Sequence, residues 1–301
     1  MRKHSGFYFF PFAWYIDFHL TVMRGNTMTY DQTVRKLTER YQAIFTQKGS
    51  EPTWAYRKIS CPREPIHPPI PFVGKHYFEQ PFKILLYASA ENLRGYDGYL
   101  DDDLFALHRH RYYFEQSIKA SDTFFPWVHI APINNGALVL CAFHILSRLT
   151  NPNDMDPADF LETIAFGNYG KYTICPTDGT RNIDYASQPD KLAHSQPYVA
   201  ADLEILRPDY VIMVGTTYHG AGAQKAFVDG VCGGAKVIPI YQITPTTVNS
   251  PNLFRKHAPL TTDELHPTLA RWYTHFHAGA VSGAHFMSVF SYLDHILHTV
   301  L

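Results

Sequence analysis

The sequence predicts an α/β protein, a three-layer α/β/α sandwich around a short, mostly parallel, four-stranded sheet. Three observations predict it. Apolar runs of strand length stand at 84–88 (ILLYA), 210–214 (YVIMV) and 236–241 (KVIPIY), with a further strand over 164–173. Segments of helical period lie between these runs, and a buried strand fed by a helix is a parallel strand covered on both faces. Finally, the runs break off into polar residues, such as QITPTTVNS after residue 241. In open α/β sheets, ligands bind beyond the carboxyl ends of the strands, so chemistry is expected there.

Taken in order, residues 1–27 carry an aromatic-rich run interrupted by Pro11, Asp17 and His19, which makes a poor membrane span and a poor signal peptide. Met28 opens a charged amphipathic stretch that reads like an ordinary protein start, so residues 1–27 are expected to be an upstream extension. A helix is expected over 33–45, then an irregular proline-rich lead-in over 49–82. The chain therefore divides into an N-terminal extension, 1–81, and an α/β domain, 82–301. After the first strand comes a polar loop over 89–103, a helix over 104–119 with an Arg-His-Arg centre, an apolar stretch at 124–130 and a turn at Asn134-Asn135-Gly136. A strongly apolar helix follows over 137–149. The strand over 164–173 is expected to be interrupted by its own functional loop, Gly167-Asn168-Tyr169-Gly170-Lys171. Leu192, Val199, Leu203 and Leu206 recur at helical spacing, which predicts one helix over 189–206 with Asp190 in its first turn and Pro208 as its stop. Two helices, over 262–278 and 285–300, close the chain.

Charged residues make up 18% and the formal net charge is −1, so there is no global basic field, although a local basic groove depends on placement rather than on the total. The four cysteines, Cys61, Cys141, Cys175 and Cys232, show no CxxC pair and read as reduced thiols of a cytoplasmic protein. Among 17 histidines no HxxxH or HExxH occurs, and His108 and His110, two apart, fall on different faces of a helix, so no metal site is expected.

Four segments, in order, resemble the uracil-DNA glycosylase superfamily. SQPYVAADLEILRPDYVIMVG (195–215) is similar to its pattern of helix, Pro, apolar strand and Gly. FGNYGKYTI (166–174) resembles the strand whose Asn reads a flipped base and is followed by Lys. VIPIYQITPTTVN (237–249) resembles the second signature loop, Pro-x-Tyr-His-Pro-Ser. ILLYASAENL (84–93) resembles the first signature, where a carboxylate or Asn activates water. The resemblance covers roughly residues 82–260. It departs from the family where Ala90 and Leu93 replace the Gly and Pro of the first signature, and where Gln242, Ile243 and Thr244 replace the His, Pro and Ser of the second.

The resemblance implies a glycosylase-like fold and hydrolysis of the bond between a base and deoxyribose, with water and without a cofactor. Such cleavage passes through an oxocarbenium-like sugar and needs an anion near it, a positioned water and a base flipped out of the duplex. Glu91 is the expected anion and general base and Asn92 the water holder. Asn168 is expected to read the base edge, Tyr169 to stack on it and Asn134 to line the pocket, with core packing and helix capping as the plainer roles for the last two. Gln242 both donates and accepts, which suits a modified cytosine better than plain uracil. Lys171, Thr244, Thr246 and Arg255 are the expected DNA contacts; Arg109 and Arg111, with Lys171, Arg255 and Lys256, could form a local basic strip, and a solvated helix face explains Arg109 and Arg111 equally well. DNA is the expected partner, with no membrane, no metal and no obligate protein partner. A catalytically weak nucleic-acid sensor and a hydrolase of free nucleosides remain as alternatives.

Overall fold

The computed structural model describes residues 28–56, 65–91, 107–111, 136–174, 188–219, 224–243, 245–275 and 283–300. Its sheet has five strands rather than four: β1 (Phe72–Val73), β2 (Ile84–Ala90), β3 (Ala165–Gly170), β4 (Tyr210–Val214) and β5 (Lys236–Ile240), in the order β1-β3-β2-β4-β5. The last four are mutually parallel. β1 runs antiparallel to β3, with Phe72 opposite Phe166 and Val73 opposite Ala165. The extra strand was hidden by its prolines. Pro71 stands just before it, and an edge strand tolerates a residue that cannot donate to the ladder.

Side chains alternate between the two faces of the sheet. Leu86, Phe166, Ile212 and Ile238 face a layer made by α2 (Gly136–Leu149), α9 (Pro267–His275) and α10 (Gly283–Val300). Leu85, Tyr87, Ala165, Tyr169, Val211 and Met213 face a layer made by α1 (Tyr30–Lys48), α5 (Gln196–Leu206) and α7 (Lys225–Val231). β3 and β4 are buried along their whole length, while the edge strand β5 alternates, with Ile238 and Ile240 buried and Lys236 exposed. The three-layer arrangement therefore follows from apolar central strands that need cover on both sides.

The division expected at residue 81 is not a break in packing. α1 is capped by Thr29 and Gln32, which bond reciprocally, and ends at Gly49 with φ 83°. Its buried stripe, Leu37, Tyr41, Ile44 and Phe45, packs into the same body as the sheet, and β1 pairs with β3. The single helix expected over 189–206 is two, α4 (Pro189–Ala193) and α5. Pro197 lacks the N–H that an uninterrupted helix would use there, so it starts a new helix instead. Ser195, in the break, accepts the backbone N–H of Lys171 at 2.9 Å. Arg207 closes α5 in the left-handed region, φ 46°, before Pro208. No helix among the described residues is long and apolar enough to cross a membrane.

In chain order the parallel strands fall as second, first, third, fourth across the sheet. The path from β2 to β3 leaves on one side, and that from β3 to β4 crosses to the other. The strand order thus reverses between β2 and β4, which is where a ligand crevice forms at the carboxyl ends of such a sheet.

Candidate functional site

Glu91 is the first residue beyond β2, at the carboxyl rim and on the β3 side of that reversal. Its N–H continues the pairing with β3 by donating to Gly170 O at 2.8 Å. The two strand ends lie close because neither position is bulky: Ala90 stands opposite Gly170, and a Cβ on Gly170 would come within 2.6 Å of that of Ala90. A Cβ on Gly167 would lie 3.2 Å from that of Pro71. The glycines around Asn168 were expected to let backbone approach a ligand. Instead they make room for Ala90 and Pro71, and β3 runs through Asn168 without the expected interruption.

The Glu91 side chain is buried, with 1% of its surface exposed, and three groups converge on it. Asn168 Nδ2 donates to Oε2 at 3.0 Å, His110 Nε2 lies 3.0 Å from the same oxygen, and Arg109 Nε lies 3.5 Å from Oε1. Burial alone pushes this carboxyl up. The Arg109 guanidinium, then the hydrogen bond and charge of His110 and the amide of Asn168, outweigh it and hold the group down at about 2. Glu91 is thus an ionised carboxylate in a buried place.

His110 and Arg109, both fully buried, are the site residues that sequence reasoning missed in this role. Their signal is an Arg-His-Arg triplet directly followed by the aromatic Tyr-Tyr-Phe in a chain with few charges. Charges there are costly unless they have buried partners. Arg109, read as part of either a basic strip or a solvated helix face, is buried and forms an ion pair with Glu91. Arg111, read the same way, pairs with Glu162 at 3.3 Å and lies over the ring of Phe72.

Two further expectations are corrected. Lys171 is fully buried and cannot reach a phosphate: its Nζ donates to Asp202 at 2.8 Å, between the rings of Tyr41 and Tyr87. Tyr169 points to the face opposite Asn168, as strand alternation requires. It packs edge-on against Tyr87 and donates its hydroxyl to Gln224 at 2.9 Å, so it is a core residue and not a platform for the base that Asn168 would read.

Gln242 follows β5 and is exposed at the same rim. β4 lies between β5 and β2, which puts Gln242 about 10 Å across the sheet from the Glu91 line at the usual strand spacing. Thus Glu91 and Asn168 are in contact, while Gln242 is on the far side of the crevice and bonds neither among the described residues. Thr246, on α8 (Pro245–Asn249), and Arg255 are exposed beyond the end of β5, and Arg255 Nη1 donates to Asn249 O at 3.2 Å. Asn92, Asn134 and Thr244 lie outside the described residues.

A large open groove of about 1420 Å³ lies at the opposite rim, lined by Lys36, Lys83, Arg207, Asp209 and Lys236 among others. Its size does not make it the site. It joins the amino ends of β2, β4 and β5, and its Lys83 is committed to Asp209 at 2.7 Å. The buried, convergent polar groups are at the carboxyl rim. Among the described residues no cluster of three or more His, Cys, Asp and Glu is placed to hold a metal ion. Comparison with protein-family models, with curated proteins and with solved structures finds no match for this chain.

Proposed function

We propose that the chain is a DNA glycosylase. It hydrolyses the N-glycosidic bond of a flipped pyrimidine, a modified cytosine in preference to plain uracil, and leaves an abasic site, in base excision or in defence against phage with modified bases. The observation that carries this reading is the contact between Glu91 and Asn168, which joins a buried ionised carboxylate to an amide at the ends of two adjacent parallel strands, beside the reversal of strand order. A fixed anion in a water-poor place suits the cationic sugar of the transition state, because it needs no reorganisation when the charge develops. With one N–H of Asn168 committed to Glu91, its Oδ1, which accepts no hydrogen bond among the described residues, is left to accept from an amino group. Cytosine carries such a group and uracil does not. Gln242, across the crevice, can approach the base from the other side.

The same cluster also supports a second reading, a binding module of this fold with weak or no catalysis. Arg109 and His110 offset the charge of Glu91, as in an ordinary buried ion cluster.

One experiment separates the two. Oligonucleotides containing uracil, hydroxymethylcytosine or glucosylated hydroxymethylcytosine, single-stranded and duplex, are incubated with the protein beside free nucleosides and then treated with alkali. The glycosylase reading expects strand breaks on a modified-cytosine substrate, lost in Glu91→Gln. Binding without breaks on every substrate favours the binding module.

A further inference from the structure

A carboxylate that the Arg109 guanidinium holds well below its ordinary value keeps its charge but is a poor proton acceptor near neutrality, because general-base efficiency peaks when the base titrates near the working pH. Hydrolysis still needs somewhere for the proton of the attacking water to go. The geometry around Glu91 assigns that proton.

His110 Nε2 has two close neighbours, Glu91 Oε2 at 3.0 Å and Asn168 Nδ2 at 3.3 Å. An ionised carboxylate only accepts, so the short contact to Glu91 requires a proton on Nε2. A bare Nε2 accepting from Asn168 would set a lone pair against the carboxylate. Turning the Asn168 amide over would set its oxygen against Oε2 instead. The arrangement that fits both contacts to the carboxylate has Nε2–H donate to Glu91 and Asn168 donate to the same oxygen, the two donors lying 3.3 Å apart as they converge on it. In neutral imidazole the other ring nitrogen is then a bare acceptor. That atom, Nδ1, is buried and has no hydrogen-bond partner among the described residues. Among the described residues, the charged groups facing the ring are Glu91 and, on the carboxylate's other oxygen, Arg109.

We propose, on the base-excision reading above, that His110 is the general base of this site and that Glu91 is the positioning residue that fixes its tautomer. Water oxygen bonds to the sugar C1′ as the bond from C1′ to the base nitrogen breaks. The bonding pair leaves with the base. The water proton passes to His110 Nδ1, Nε2–H stays on Glu91, and the imidazolium proton is returned to the departed base through solvent. Glu91 thereby stabilises the imidazolium without being protonated.

The test uses the full chain and two readouts. Ring-nitrogen NMR shifts of the isotope-labelled protein, with the His110 signals identified by their loss in His110→Gln, report the tautomer without any substrate. In the neutral ring, bare Nδ1 and protonated Nε2 are expected, and the opposite tautomer overturns the proposal. His110→Gln places an amide donor where Nε2–H stood, so it keeps the bond to Glu91 and the fold while removing the basic nitrogen. Wild-type excision should rise with pH to a plateau. His110→Gln should be slower by about 10²–10⁴-fold with that rise abolished, and imidazole added to His110→Ala should restore part of the rate. A His110→Gln enzyme with the wild-type pH profile overturns the base role. If wild type excises nothing, the excision reading fails and the base role with it, while the NMR result still decides whether Glu91 and His110 form the pair described.

Discussion

Glu91 has a measurable signature at the level of the single residue. Its folded value, about 2, lies below the ordinary 4.5. The carboxylate therefore contributes stability that is complete above the ordinary value and is lost as pH falls through the folded one. The difference corresponds to on the order of 3 kcal/mol. Denaturant melts from pH 7 to pH 2 should show wild type losing that increment below about 4.5 while Glu91→Gln does not. Parallel losses in both proteins would mean that Arg109 and His110 do not hold the charge. Asp202 gives a second prediction. It accepts from Tyr41, Tyr87 and Lys171, all buried. Burial, then the Asp202 charge, push the phenols of Tyr41 and Tyr87 up, so they stay donors. Asp202→Asn leaves a buried ammonium without its counter-charge and should cost about 3–5 kcal/mol in a urea melt. Adding Lys171→Met should recover part of the loss. A melt unchanged by Asp202→Asn would contradict the account of Lys171 as a core ion and reopen a surface role for it.

At the scale of elements, the site depends on how closely β2 and β3 finish together. Gly170→Ala would drive its Cβ to 2.6 Å from that of Ala90, an atom fixed to the neighbouring backbone. Overpacking of this kind costs about 1–3 kcal/mol. Because Gly170 O holds the Glu91 N–H, the variant should also lose activity beyond what its stability explains. Full activity in a destabilised Gly170→Ala would show that the strand ends need not meet closely. The strands themselves were legible in the sequence, since apolar runs such as YVIMV permit few other fates. Their ends were not. Nothing in FGNYG separates a strand that packs its glycines on Pro71 and Ala90 from a loop that offers its backbone to a ligand. The break between α4 and α5 was legible only in part: Pro197 marks it, but the periodic apolar residues run across it.

For the whole molecule, the order of strands along the chain implied a mostly parallel sheet, and Glu91 and Asn168 meet at the carboxyl ends of two of its strands. The fifth strand and the place of α1 in the core escaped because each depends on a distant partner, Phe166 for Phe72 and the sheet face for Leu37 and Tyr41. Arg109, His110 and Lys171 escaped for a related reason. A charged residue in a sequence looks like a surface residue until its buried counter-ion is found, and Glu91 and Asp202 stand 18 or more residues away from them. The consequence for function is that three cations the sequence offered for DNA binding, Arg109, Arg111 and Lys171, are bound to carboxylates instead.

The most direct measurement of the central claim is the mass of an oligonucleotide carrying one modified cytosine, before and after incubation with the full chain. The strand should lose the base and gain the elements of water, the free base should appear in equal amount, and Glu91→Gln should leave the mass unchanged. An intact strand with wild-type protein across uracil, hydroxymethylcytosine and its glucosylated form, or equal base release by Glu91→Gln, would contradict it.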